Sequence, residues 1–322
     1  MKIFSYVLIG FGIIFSACSK EVEIDIPGYV AEIVVDGAIE TERNPLVLLS
    51  TSADIYSATD LTAYLSGFVY DADVKITCQG DTFNLHLYNV VDLPIESQYK
   101  LAEMLRLKKH SELLQIPIMV YSNTTLSGEV NKEYQLHITH KDKEYTGTTK
   151  ILPPTPLDSI YWKLEPETIE YGYSWAILSD PPNQFDGYKW EVKRTNLNSN
   201  GLPKDDIFKR GRGGLFDDEY FDGLTFEFVY ENPMNRKDST HLKEYRRYYR
   251  LGDTVVVKFS KMDERVFSYY DAKFNQIANN GNPFATPINA PTNLSEGALG
   301  VWAAYSPYYD TLYCYPLSLI HI

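Results

Sequence analysis

Alternation of apolar and polar residues runs through most of the chain and predicts β-strands. In "DADVKITCQGDTFNLHLYNV", Val74, Ile76 and Cys78 alternate with polar residues before a turn at Gln79-Gly80-Asp81, and the alternation resumes after it. The segment "KEYQLHITHKDKEYTGTTKIL" has the same pattern. Such period-two patterns around polar turns are typical of β-hairpins. A series of these strands over about 125 residues predicts an immunoglobulin-like β-sandwich.

Two segments have helical spacing instead. In "PIESQYKLAEMLRLKKHSELL", apolar residues between Leu101 and Leu107 recur among charges, which predicts a helical insertion near 94–114. The segment "SKMDERVFSYYDAKFNQIANN" predicts a helix near 261–278. We expect Ser260 to be its N-cap, with Asp263 three residues on, and Asn280-Gly281 to end it.

A cluster of prolines divides the chain. The segment "LPPTPLDS" contains Pro153, Pro154 and Pro156, and proline both fixes φ and removes a backbone donor. We therefore predict a mainly β protein. Residues 29–152 would form the immunoglobulin-like sandwich, and residues 157–322 a second β-rich domain carrying one helix. Residues 195–223 are rich in Gly, Asn, Asp and Lys and predict a long loop.

The N-terminus predicts export and lipidation. Lys2 precedes a short apolar block and small residues, so residues 1–17 have the pattern of a signal peptide. Ser16-Ala17-Cys18 resembles the bacterial lipobox, in which the thiol is lipidated and cleavage leaves the cysteine as the first residue. Cys18 is the predicted lipidation site, and residues 18–28 the predicted tether.

Charge restricts the partners. The chain of 322 residues has a formal net charge of −13, and removal of residues 1–17 takes away only Lys2 among charged residues. Nucleic acid and anionic lipid surfaces need a basic footprint, so both are disfavoured. Apart from Cys18, the cysteines are Cys78 and Cys314. Both lie in predicted strands far apart in sequence, and we expect buried free thiols.

Few motifs point to catalysis. The chain has no P-loop, HExxH, CxxC or GxSxG pattern, and the SxxK match at Ser97–Lys100 lacks its companion motifs. The odd spacing of His137 and His140 on a strand places them on opposite faces, so they are not a metal pair. The acidic stretch Asp217–Gly223 lacks the EF-hand spacing and predicts a solvated loop. Lys209–Gly214, "KRGRGG", can bind an anion but falls in the same predicted loop. We expect no metal, no cofactor and no catalytic residue.

Tyrosine is abundant, at 26 residues, which favours a binding surface because its ring is apolar and its tip is polar. In "EYRRYYR", four residues mix guanidinium and phenol groups and are the candidate ligand-binding residues. They are Arg246, Arg247, Tyr248 and Tyr249. The alternative is an amphipathic edge whose tyrosines pack inward.

Several segments together resemble one family. They include "VVDGAIE", "EYQLHITHKDKEYTGTTKILPPTPLDSIYW", "VFSYYDAKFNQ" and "PFATPINAPTNLSEGALGVWAAYS". In the last, residues fall where the family pattern expects them: Pro283, Phe284, Pro287, Asn293, Gly297, Gly300 and Tyr305. The chain resembles family DUF4249, outer-membrane lipoproteins of Bacteroidota. The resemblance implies a neighbouring TonB-dependent receptor, and it defines no catalytic residue. "CSKEVE" resembles a surface-export signal of such lipoproteins.

These observations predict a non-enzymatic outer-membrane lipoprotein, anchored through Cys18, that assists a TonB-dependent receptor in nutrient uptake or envelope assembly. Its ligand would be a peptide or glycan. Two alternatives remain: a surface hydrolase that cleaves glycan with a carboxylate pair, and a purely structural envelope protein.

Overall fold

The computed structural model describes residues 30–53, 65–233, 243–279 and 290–315. The protein is mainly β, with sandwich-like open sheets, as the sequence predicts. Cys18, the signal peptide and the tether lie outside the described residues. The described residues from Glu32 onward belong to one compact unit.

Fifteen strands are described. They are β1 (Ile33–Glu40), β2 (Leu46–Thr51), β3 (Asp73–Cys78), β4 (Asp81–Asn89), β5 (Met119–Ser122), β6 (Glu133–His140), β7 (Lys143–Lys150), β8 (Ser159–Leu164), β9 (Tyr171–Ser179), β10 (Gly187–Arg194), β11 (Lys209–Asp217), β12 (Thr225–Tyr230), β13 (Tyr249–Arg250), β14 (Thr254–Met262) and β15 (Ala298–Tyr313). The α-helices are α1 (Ile95–Met104), α2 (His110–Leu113) and α3 (Glu264–Ala278), and short 3₁₀ helices span Val90–Asp92 and Lys243–Tyr245.

The larger sheet has eleven strands in the order β11-β10-β14-β15-β1-β2-β5-β4-β3-β6-β7. The 16-residue β15 joins its two parts: Ala298–Tyr305 pairs in parallel with β1, and Ser306–Tyr313 pairs antiparallel with β14. Strands from both sides of the predicted boundary at Pro153–Pro156 therefore lie in one sheet. A second sheet of four strands has β9 paired with β8, β12 and β13.

Two apolar cores lie on the inner faces of these strands. The first is built mainly by the N-terminal half and includes Ile76, Leu136 and, from β15, Trp302. The second includes Trp190 and Phe259 of the eleven-stranded sheet and Leu178 of the four-stranded sheet. Alternation explains both cores, because every second residue of these strands points inward.

The helices cover the opposite face of the larger sheet. Helices α1 and α2 form the predicted insertion between β4 and β5, and Leu101 and Leu113 pack with Leu46 of β2. Helix α3 places Val266 against β15, where Val301 is fully buried. The larger sheet thus has a helical layer on one side, and this layer positions the site.

The structure corrects two predictions about local structure, the N-cap of α3 and the loop 195–223, and confirms the buried free thiols. The N-cap of α3 is Asp263, whose side chain accepts from the backbone N–H groups of Arg265 and Val266. Ser260 is not the cap, because β14 continues through it to Met262 and pairs it with Lys189 and Pro307. The predicted loop 195–223 is also wrong in part, because β11 lies inside it. Cys78 and Cys314 are buried free thiols, as expected.

Candidate functional site

A cavity of about 990 Å³ lies on the helical side of the larger sheet. Its walls come from α1, α3 and the chain between β10 and β11, and its floor from β1, β10 and β15. Nine lysine and arginine side chains line it, against four carboxylates. The cations are Lys100, Arg106, Lys108, Lys109, Lys189, Lys204, Lys209, Arg210 and Lys273; the acids are Asp36, Glu103, Glu191 and Asp206. The cavity is therefore basic in an acidic protein.

Strand alternation places charge in this cavity. In β10, Tyr188, Trp190 and Val192 enter the core, so Lys189 and Glu191 between them point to the other face. The outward residues of a strand are normally solvated, but here the helices cover them. Charged side chains that would be exposed on an open sheet thus become buried.

An ion-pair network forms the floor between this cavity and an adjoining one of about 180 Å³. Lys258 is almost fully buried, and its ammonium lies 3.0 and 3.2 Å from the two oxygens of Glu40 and 3.3 Å from Oε2 of Glu103. Lys100 of α1 also binds Glu40. These contacts tie β1, β14 and α1 together.

The network shifts the pKa values of its members in opposite directions. Burial alone would raise the pKa of Glu40, but Lys100 and Lys258 outweigh it and hold that pKa well below its usual range. Burial raises the pKa of Glu103, with a smaller contribution from the charge of Glu191. Burial would lower the pKa of Lys258, but Glu103 and Glu40 outweigh it and raise it.

A second pair, Lys189 and Glu191, lies 3.1 Å apart on β10. Burial lowers the pKa of Lys189. Burial alone would raise the pKa of Glu191, but Lys189, Lys258 and Lys100 outweigh it and lower that pKa. The ammonium groups of Lys100 and Lys189 lie 4.5 and 4.3 Å from the ring centre of Tyr305. A cation over an aromatic face is stabilised by the ring quadrupole.

Five cations at the cavity have no carboxylate within ion-pair distance among the described residues: Lys108 and Lys109, which are exposed, and Arg106, Arg210 and Lys273. The guanidinium carbons of Arg106 and Arg210 lie 5.0 and 3.7 Å from the ring centre of Phe274, the residue after Lys273. Burial lowers the pKa of Arg210, and the charge of Arg106 lowers it further. Like charges are thus held against one aromatic ring.

Arg106 has an unusual backbone. Its φ is 55°, and it directly follows Leu105, the C-cap of α1. The backbone N–H of Leu107 donates to the carbonyl of Ala102 at 2.9 Å. This is a Schellman-type helix end, whose left-handed position glycine normally occupies. A left-handed conformation costs an L-residue about 1–2 kcal/mol. The arginine side chain, which reaches Phe274 and the cavity, gives this position a role that glycine cannot fill.

The four residues predicted to bind a ligand lie elsewhere. None of them lines either cavity. Tyr249 is in the second core, Tyr248 packs on Tyr173 with ring centres 4.3 Å apart, and Arg247 is exposed and lies 2.6 Å from Glu231. Arg246 is partly buried. A ligand role for this segment stays a prediction.

The other candidate motifs have separate places. His140 is buried near Asp71, whereas His137 faces Thr77, so the expected opposite orientation is confirmed. The prediction that Asp217–Gly223 is solvated is wrong for Asp218. This residue is buried with Asp180 and Asp186, whose carboxylates already bond Tyr188, and Lys261 lies 2.6 Å from Asp186.

The sequence analysis does not single out Lys189 and Glu191 of the main cavity, or Glu40 and Lys258 of the adjoining one. The sequence does contain a pattern that could have identified three of them. Lys189 and Glu191 alternate with apolar residues in "YKWEVKRT", and Lys258 interrupts the apolar run "TVVVKF". By its composition Lys209–Gly214 can bind an anion, although it is not among the predicted ligand-binding residues, and Lys209 and Arg210 of that segment line the cavity.

The fold and the cavity define a β-sandwich protein with a basic pocket under a helical layer. The sequence profile described as "Domain of unknown function (DUF4249)" matches residues 19–309, and the chain belongs to this family. No curated protein matches the chain. Within the part of the chain that is described, we find no helix with the length and apolarity needed to span a membrane.

The family signature positions the floor of the cavity. Asn293 donates to the carbonyl oxygens of Thr148 and Trp302 and accepts from the N–H of Trp302, which fixes the start of β15. Tyr305, later in the signature, lines the cavity. The signature residues Pro283, Phe284 and Pro287 lie outside the described residues.

Proposed function

We propose that this chain is a lipid-anchored, non-enzymatic ligand-capture protein of the outer membrane that assists a TonB-dependent receptor. The cavity lined by Lys189, Arg210 and Tyr305 would hold the ligand. The supporting observation is its volume of about 990 Å³, at the upper end of the roughly 300–1,000 Å³ typical of ligand sites. Its polar groups converge from seven elements of the fold, as expected of a binding site.

The membrane part of the proposal rests on the sequence. The lipobox-like Ser16-Ala17-Cys18 supports anchoring through a lipid on Cys18. We expect radiolabelled palmitate to label the parent protein, and Cys18→Ala to remain unlabelled and leave the membrane fraction. Equal labelling of both would refute anchoring through Cys18.

The receptor partnership has its own test. The protein is extracted with mild detergent through an affinity tag, and co-purified proteins are identified by mass spectrometry. We expect a β-barrel receptor in stoichiometric amount. Its absence, with the tagged protein intact, would refute the partnership and favour the structural envelope role.

A glycan hydrolase is the second candidate, favoured by one observation. Glu103 and Glu191 line the same cavity, the pKa of Glu103 is raised by burial, and that of Glu191 is lowered by neighbouring lysines despite burial. Two carboxylates with divergent pKa values are the usual acid and base of a glycosidase. Aryl glycosides test this: hydrolysis that is lost in both Glu103→Gln and Glu191→Gln would establish it, and no hydrolysis by the parent would exclude it for those substrates.

A further inference from the structure

The cations at the mouth of the cavity point to the chemistry of its ligand. Arg106 at the end of α1, Arg210 on β11 and Lys273 on α3 belong to three separate elements, yet all line one cavity. None of the three has a carboxylate within ion-pair distance among the described residues. Lys100 and Lys189 of the same cavity, and Lys258 of the adjoining one, each have such a partner. The outer three have only longer-range carboxylates. Asp36 acts on Arg106 and Lys273, and burial raises its pKa and so disfavours its charge, while Glu191 acts on Arg210 but is already paired with Lys189.

The arrangement of the two arginines favours an anion between them. Both guanidinium carbons lie within 5.0 Å of the ring centre of Phe274, and the charge of Arg106 lowers the pKa of Arg210, so the two cations repel each other. A bound oxyanion removes this repulsion and provides the fork-shaped acceptor that guanidinium groups prefer. Arg106 places its cationic side chain from a left-handed helix-end position that glycine normally occupies.

The rest of the protein limits the size of this anion. The chain carries a formal net charge of −13, so a large polyanion is repelled by most of its surface. A small acidic molecule can enter the cavity and meet mainly the basic lining. Leu107, Phe208 and Phe274 add apolar walls for the remainder of the ligand.

We propose that the cavity binds a small ligand through a carboxylate, phosphate or sulfate group, which Arg106, Arg210 and Lys273 hold at its mouth. This inference rests on the ligand-capture function proposed above and specifies the chemical class of the ligand.

Isothermal titration calorimetry at low salt tests the inference with four probes: inorganic phosphate, citrate, glucuronate and neutral glucose. Binding of phosphate indicates a phosphate site, binding of citrate a carboxylate site, and binding of glucuronate a site for a sugar acid. We expect at least one anion to bind, its affinity to fall as sodium chloride is added, and glucose to bind at least tenfold more weakly than glucuronate.

The variants are Arg210→Gln and Arg106→Gly. Each should weaken the anion at least tenfold, which corresponds to about 1.4 kcal/mol. Arg212→Gln is the matched control, because Arg212 is exposed on the same strand and does not line the cavity. Arg106→Gly should fold well, since glycine accepts the left-handed φ of this residue.

Two outcomes would overturn the inference. One is equal anion affinity in Arg210→Gln and Arg212→Gln with the fold intact by circular dichroism. The other is binding of glucose as tight as that of glucuronate, which leaves ligand capture standing but removes the anionic class. Failure of every probe to bind, while a β-barrel receptor still co-purifies, would overturn the inference and leave the receptor partnership intact.

Discussion

Removal of Lys258 should destabilise the protein strongly. Its ammonium contacts Glu40 at 3.0 and 3.2 Å and Glu103 at 3.3 Å, and its side chain is only 3% exposed. In Lys258→Met, Glu40 keeps Lys100, whereas Glu103 loses its ion-pair partner. Breaking a buried ion pair from one side costs about 3–5 kcal/mol. We expect the lower end, about 3 kcal/mol, because Glu103 lies at the cavity and can take up a proton.

The pH dependence of the free energy of unfolding tests whether the unpaired carboxylate of Glu103 causes the loss. The pKa of Glu103 is already raised by burial, and loss of Lys258 removes a charge that lowers it. The buried carboxylate of the variant is therefore most costly at high pH, and protonation relieves the cost as the pH falls. The free-energy loss should be larger at pH 8 than at pH 5.

Urea denaturation of the parent, Lys258→Met and the double variant Lys258→Met/Glu103→Gln measures this. The double variant should recover part of the lost stability, because no unpaired charge remains. Lys150→Met, an exposed lysine at the end of β7, is the control and should change stability by less than about 0.5 kcal/mol. Equal losses in Lys258→Met and Lys150→Met, or a loss that is independent of pH, would refute the network.

Three further predictions concern the scaffold. Asp263→Ala removes the acceptor of two backbone N–H groups at the start of α3 and should cost about 1–2 kcal/mol in urea denaturation, whereas a loss below measurement error would contradict the cap. Gly300→Ala should abolish soluble folded protein, because a Cβ there would lie 1.9 Å from the carbonyl oxygen of Val35 and φ is +98°; a native circular dichroism spectrum would refute the tight β1–β15 approach. Burial alone would raise the pKa of Asp205, but Arg194 and Lys209 outweigh it and lower that pKa to about 2. The ionised Asp205 therefore stabilises the folded protein fully above its ordinary pKa of 3.8, and this stabilisation is lost as the pH falls towards 2. Asp205→Asn should therefore lower the free energy of unfolding at pH 6 and make that free energy depend less on pH between 4 and 2. The same pH dependence in the parent and the variant would count against the ion pair of Asp205 with Arg194 and Lys209.

The strands and helices could largely be predicted because their patterns are local. Val74, Ile76 and Cys78 alternate in sequence and are all buried in the first core. The apolar spacing predicts helix α3 near 261–278, whereas the helix begins at Glu264. Ser260 is a good N-cap by type, yet its pairing with Lys189 and Pro307 keeps it in β14. Tertiary pairing there outweighs local preference.

The site could not be predicted because it depends on non-local packing. The pattern of Lys189 and Glu191 on β10 is equally that of a strand with one solvated face. Only the fold shows that α1 and α3 cover this face and turn its charges into a lined cavity. Strand β11 was missed because Gly211, Gly213 and Gly214 break the alternation that marks a strand. Arg210 consequently falls in a predicted loop, within a segment that can bind an anion but with no indication that it lines a cavity.

An anomalous-difference map from a crystal soaked in sodium selenate tests the central claim most directly. Selenate is a tetrahedral oxyanion, and selenium locates it without ambiguity. The account predicts a selenium peak in the cavity within hydrogen-bonding reach of the guanidinium groups of Arg106 and Arg210, absent from crystals of Arg210→Gln. Peaks confined to the outer surface, or a cavity peak that persists in Arg210→Gln, would contradict it.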